Sequence, residues 1–429
     1  MGMVVRVAVW LACLTIPAAA IGQTRSSSPV TIDVSNWRLR TSVSAAMAGG
    51  QLLHRGTDAL FDRAAAETFS SHQRRGRFAR GLKLLAVDLP IAAISHTLAH
   101  EAGHITRLNE DHIRHGRIQI TQWPWPVPFM DAQTQIRSPF PMPDDPRVMT
   151  HAAAGGEAAV VRDRFLGDTI AATGGLDYFQ SAQLIYSRLE TPGAAWIHLA
   201  DSTFDSEADF FGGKYGPTDS RVFVRTFEFV RRGRVSLDDF RTAARTVRRQ
   251  SLLALADLQL WGAVTRVASY VLSGETAGPL PAIRVGSARL LPRATFGLTA
   301  RGIARGGQAL VLTPGAAFDV SVTSTLAPIS HPEQPVTRDA ADVASDRHLW
   351  DGHVRIMPTH SRLRIRHVDA AVWQQDTRGI GGSAEIGWAV PLPQTRATAG
   401  VSLGYKTRGY LAGAPDRAGW FLGASLTVK

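Results

Sequence analysis

"ISHTLAHEAGHITRL", residues 94–108, places three histidines and a glutamate between His96 and His104. Its reading decides the fold of the first half of the chain. Ile94, Leu98 and Ile105 recur at helical spacing, and Ala99 and Ala102 let neighbours approach closely, so the stretch predicts a helix buried except at its charged cluster. Asp88 is placed to cap its start, with Pro90 tolerated in the first turn. Gly103 costs helix stability and makes room for substrate or for another backbone. Ionisable groups in an apolar helix are costly unless paired, which argues against a decorative cluster. The competing reading is a core helix with satisfied histidines.

Five of these residues, His100-Glu101-Ala102-Gly103-His104, spell HExxH. Residues four apart lie about one turn apart on a helix, so His100 and His104 project side by side. Two neutral imidazoles in that relation suit Zn²⁺ at ~2.0–2.1 Å. Glu101 points ~100° away and can reach a water on the metal without being a ligand. His96 cannot join them, because three ligands along one straight helix span ~12 Å. It reads as a supporting residue. Imidazole and carboxylate also suit iron or manganese.

A catalytic zinc takes three protein ligands and leaves one position for water. On its motif the chain resembles the HExxH zincin metallopeptidases. The branch that continues to HExxHxxGxxH is excluded, since those last positions hold Arg107 and Glu110. The chain is more similar to the gluzincins, whose third ligand is a glutamate on a later helix. That resemblance implies a metal set of His100, His104 and Glu157, the last in "HAAAGGEAAVVRDRF" (151–165), with Glu101 activating a water for attack on a peptide carbonyl. Glu207 and Asp209, in "STFDSEADFFGG" (202–213), are the competing acids. His151, Tyr178, His198 and Tyr215 are candidates for stabilising the oxyanion that amide hydrolysis requires, and sequence does not choose among them.

The chain has 429 residues, 45% hydrophobic and 19% charged, which is globular rather than disordered. Its formal charge of +11 comes mainly from scattered arginines. No nucleic-acid module accompanies that charge, which also suits an anionic membrane surface. Arg6, the apolar run "VAVWLACLTIPAAA" and small residues before Gly22 read as a secretory signal over 1–23. The only cysteine, Cys13, lies inside that run, so any metal site after cleavage uses His, Asp or Glu.

Helical patterning covers about 40–120, 150–190 and 235–273, interrupted by the Pro- and aromatic-rich segment 121–147, a candidate cleft wall. Near residue 280 the pattern changes to alternation with Gly-bearing turns, as in "GGSAEIGWAV" and "GWFLGASLTV". The expected fold is α+β: a helical zincin-like domain over 24–278, then an antiparallel β domain over 279–429. The strands resemble outer-membrane barrel hairpins, with a soluble sheet or sandwich as the alternative. The chain therefore reads as an exported zinc metallopeptidase acting on a peptide or protein, in the periplasm or at the outer membrane. Its rival is an envelope β protein with an inert or structural metal site.

Overall fold

The computed structural model describes residues 30–35, 37–113, 115–124, 130–136, 146–200, 218–232, 235–326, 348–359, 364–376, 379–393, 395, 397–412, 414 and 417–428. The signal-like segment, Glu207, Asp209 and Tyr215 lie outside the described residues.

Strand β1 (Val30–Ser35) leads into helix α1 (Arg38–Ser70) and α2 (Arg74–Lys83). A π-helical turn (Leu84–Asp88) continues directly into α3 (Leu89–Glu110), the motif helix. Asp88 does not cap α3 as its position suggested. Its backbone is already helical, and its fully buried carboxylate accepts two hydrogen bonds of 2.8 Å from Lys83 Nζ. The helical pattern also ends earlier than residue 120. His112 adopts a left-handed φ of 57°, and β2 (His115–Gln122) pairs with β3 (Asp131–Ile136) as a hairpin.

Next come α4 (Pro146–Thr173), β4 (Gly175–Asp177) and α5 (Tyr178–His198). After the undescribed stretch lie α6 (Asp219–Arg232), α7 (Leu237–Ser251), a 3-10 turn (Leu252–Leu255) and α8 (Leu258–Ser273). Asp257 caps α8 by accepting the backbone N–H groups of Gln259 and Leu260. Its carboxylate thus breaks the apolar run 251–272 into the turn and the helix. Residues 74–110 are long and apolar enough to cross a membrane by composition, and half of their most apolar window is buried.

The last part of the chain is antiparallel sheet. Short β5 (Ala277–Pro279) pairs with β4. Then follow β6 (Ile283–Val285), β7 (Ala288–Thr299), β8 (Gly302–Leu312), β9 (Ala316–Leu326), β10 (His348–Pro358), β11 (Ile365–Gln375), β12 (Gly379–Pro391), β13 (Ala397–Lys406) and β14 (Gly419–Val428). Their order is β1-β14-β13-β12-β11-β10-β9-β8-β7-β6, ten strands in one sheet. The α+β class is as expected. The sheet is not closed into a barrel, because β1 and β6 stand at opposite edges without pairing. It also begins far upstream of residue 279, since β1 pairs with β14 from Val30↔Val428 to Ser35↔Gly423.

One hydrophobic core joins the helices to the sheet: Val43 and Met47 of α1, Ala99 of α3, Ile170 of α4 and Leu184 of α5 pack with Leu291 and Leu310 of β7 and β8. Within it α3 and α4 cross at backbone contact. A Cβ on Gly103 would lie 2.2 Å from the Ala154 carbonyl oxygen, so the glycine makes room for another backbone. Alanine is favoured over glycine in a helix by ~1 kcal/mol, yet here it must push two helices apart. Gly103→Ala is therefore expected to destabilise the chain by ~1–3 kcal/mol, seen as a lower urea midpoint at unchanged slope. An unchanged or higher midpoint would contradict the close crossing.

Candidate metal centre

The crossing of α3 and α4 sets the geometry of the motif. His100 and His104 sit one turn apart, with Nε2 atoms 3.0 Å apart. Each Nε2 also lies 3.0 Å from Oδ2 of Asp219, the first residue of α6. Three potential ligand atoms thus form a triangle with 3.0 Å edges. Glu101, on the same helix, places a carboxylate oxygen within 4.8 Å of both imidazoles.

The far side of each ring is fixed. His104 Nδ1 lies 2.8 Å from the His151 carbonyl oxygen on α4, which can only accept, so the proton is on Nδ1. His100 Nδ1 lies 2.5 Å from Glu190 Oε1 on α5. Glu190 is in turn held by the buried Arg162, whose other nitrogen donates to the His96 carbonyl at 2.8 Å. With both Nδ1 atoms protonated, both Nε2 atoms are acceptors. Two imidazole lone pairs and a carboxylate oxygen then converge with no donor among them, a grouping that repels unless a cation sits between its members. Protons serve that purpose when no metal is bound. Burial opposes charging the rings, but Asp219 outweighs it and holds His100 and His104 above the ordinary histidine range. Desolvation likewise opposes the Asp219 charge, but the two histidines hold that carboxyl far below the usual carboxylate range.

The donor set fits a small divalent ion. Ligands at ~2.0–2.1 Å in a tetrahedron stand ~3.3 Å apart, close to the observed 3.0 Å edges. The Asp219 side chain is 43% exposed and that of His104 is 13% exposed, so the triangle opens on the Asp219 side. A nitrogen, nitrogen, oxygen set with one open side is the donor chemistry of catalytic zinc.

Glu157 is not brought to the histidines. It is buried on α4, where Oε1 accepts from Tyr410 Oη at 2.7 Å and from the Ala300 N–H at 3.3 Å. Its Oε2 takes an ion pair with the Arg107 guanidinium. Both oxygens are engaged, and the acid at the histidines is Asp219. The carboxylate that reaches both Nε2 atoms is Asp219, where the sequence reading expected Glu157. Glu101 is buried, and its Oε2 accepts from Thr134 Oγ1 of β3 at 2.6 Å. His96 approaches Glu190 at 3.6 Å, beside the group that orients His100.

Of the oxyanion candidates, Tyr178 belongs to the Lys83–Asp88 cluster and His151 faces Asp111 at 3.1 Å. His198, at the end of α5, feels the Asp219 charge. Burial and Arg221 hold its imidazole below the ordinary range, hence neutral. Sequence reasoning missed Asp219, Glu190 and Thr134. "PTDSRVF" looks like an ordinary acidic helix start, and nothing local marks Glu190 as facing a histidine on another helix.

No family model, curated protein or solved structure matches the chain.

Elemental analysis is expected to find about one zinc per chain after purification with zinc supplied. Asp219→Ala and His104→Ala lose it, while Glu157→Gln retains it. A Cβ on Gly155 would stand 2.0 Å from the His100 ring, so Gly155→Val should also lose metal while the helical circular dichroism persists. Metal lost from Glu157→Gln but kept by Asp219→Ala would reverse the ligand assignment.

Proposed function

We propose that the chain is a zinc-dependent metallopeptidase whose metal is held by His100, His104 and Asp219. The observation that carries this reading is the convergence of two motif Nε2 atoms and an acid with 3.0 Å edges, beside a buried glutamate. Zinc bound there would polarise a scissile carbonyl and bring the pKa of a water to ~7. Glu101 takes the proton of the attacking water and passes it to the leaving amine. Thr134 fixes the Glu101 carboxylate through Oε2, leaving Oε1 for that proton. Glu190 and the His151 carbonyl keep the imidazoles in the tautomer that presents Nε2. For the donor to the developing oxyanion we choose His198, which burial and Arg221 keep neutral. The choice of a peptide or protein substrate rests on the resemblance of the motif to the zincins. Export to the periplasm or outer membrane rests on the signal-like first 23 residues.

Glu101→Gln keeps the hydrogen-bonding shape and removes the base. It is expected to retain metal and to lower turnover of an unstructured protein substrate by ~10²–10⁴-fold. His198→Ala should lower kcat with metal content unchanged. Undiminished hydrolysis by metal-loaded Glu101→Gln would refute the mechanism.

A further inference from the structure

The ten-stranded sheet has its polarity reversed relative to a sheet facing water. Antiparallel sheets in water bury an apolar face and expose a polar one. Here charges face inward. Glu385, Asp369, Arg355 and Asp319 are cross-strand neighbours on β12, β11, β10 and β9, and all four are buried. They are satisfied within the protein. Arg355 pairs with Asp369 at 2.9 Å and with Asp168 of α4 at 2.7 Å. Arg40 of α1 pairs with Glu385 at 2.9 Å.

The opposite face is apolar in unbroken rows. One row runs Trp420, Tyr405, Ala384, Ala370, Val354, Val320 across β14 to β9. The next runs Leu422, Leu403, Ile386, Val368, Ile356, Phe318. The row on the other side of the first contains Gly382, Val372, Gly352 and Val322. Trp420 is 66%, Leu422 62%, Val401 60% and Val322 60% exposed. Polar side chains return in the row after that, where Trp350 Nε1 donates to Gln374 beside Ser324 and Arg305. Along β14, Trp420 to Val428 spans ~27 Å at ~3.4 Å per residue. That matches the ~25–30 Å of a hydrocarbon layer.

We propose that this outward face lies against the acyl chains of a lipid bilayer, with the helices and the metal centre on the protected inner side. Patches of this size are rare on water-soluble monomers. An open sheet edge is unfavourable in hydrocarbon unless protein covers it; α1 covers the β1 edge, and the 3-10 turn reaches the part of β7 that lies beyond the short, exposed β6. On β1 the Asp33 and Ser35 N–H groups donate to Ser44 Oγ at 2.6 Å and Thr41 Oγ1 at 2.7 Å of α1. On β7 the Ala294 N–H donates to the Ala256 carbonyl at 2.8 Å. The 3-10 turn and α8, which pack against β7, also expose Leu253, Leu255, Trp261 and Val264. The length of the apolar band, which matches a hydrocarbon layer, is what favours a bilayer over a second copy of the chain.

The test uses the full chain, purified in detergent and reconstituted into phosphatidylethanolamine–phosphatidylglycerol vesicles. The wild type is expected to float with the vesicles, to resist alkaline carbonate, and to lose much of its tryptophan fluorescence to lipids brominated on the acyl chains. Val354→Arg and Leu403→Arg should reduce the floated fraction at least tenfold, while Thr246→Arg on α7 and His100→Ala leave it unchanged. The quenching needs no variant, so a misfolded arginine variant does not void the test. A wild type that remains monomeric in detergent-free buffer, without flotation or quenching, overturns the proposal. So does a soluble dimer dispersed by the same arginines, which would assign the face to a second copy. Insertion of His100→Ala separates this result from any failure of the metal centre.

Discussion

The backbone contact between α3 and α4 at Gly103 is the constraint on which the rest of the structure depends. A glycine on one helix and a carbonyl on the other let the axes approach until His104 can bond to the His151 carbonyl and the His100 ring can cover Gly155. Both imidazoles are thereby aimed at one point before any ligand arrives. Orientation of this kind is what a metal site otherwise has to obtain by ordering loops. The opposite side of α4 supplies Asp163 and Asp168, which meet Arg293 and Arg355 of the sheet. One helix therefore holds the metal-facing rings on one side and the sheet on the other.

Buried charge organises the remainder. Arg107, next to the motif, pairs with Glu157, and Tyr410 from the β13–β14 connection bonds to the same carboxylate. This ties the motif helix to the far end of the chain. Lys83 with Asp88 and Tyr178 makes a similar knot at the start of α3. Such groups add little net stability, yet removing one partner typically costs ~3–5 kcal/mol. They specify which elements meet rather than how tightly they hold.

Much of this was legible in the chain. The buried HExxH helix, the close approach at Gly103 and the alternating strands after residue 280 all rest on local spacing and are present. What failed required knowledge of partners distant in sequence. Glu157 and Asp219 are both acids at helices, and only the tertiary fold decides that Arg107 claims the first and the histidine pair the second. Asp88 looked like a cap because Lys83, a buried lysine five residues earlier, does not announce that it will take the carboxylate. The barrel-like alternation was real, but closure depends on how the edges end, and Ser44 and Thr41 of a helix occupy one of them.

The pairing of β1 with β14 sets an order of events for folding. Among the described strands β1 is made first and its partner β14 last. Throughout synthesis it has only α1 beside it, with one ladder edge open for other chains to join. Loop closure across nearly the whole sequence makes this pairing a late and slow contact. The hydroxyls of Thr41 and Ser44, which occupy the Ser35 and Asp33 N–H groups from the helix side, are available as soon as α1 has formed. These bonds span fewer than a dozen residues, so they can form without the distant partner strand.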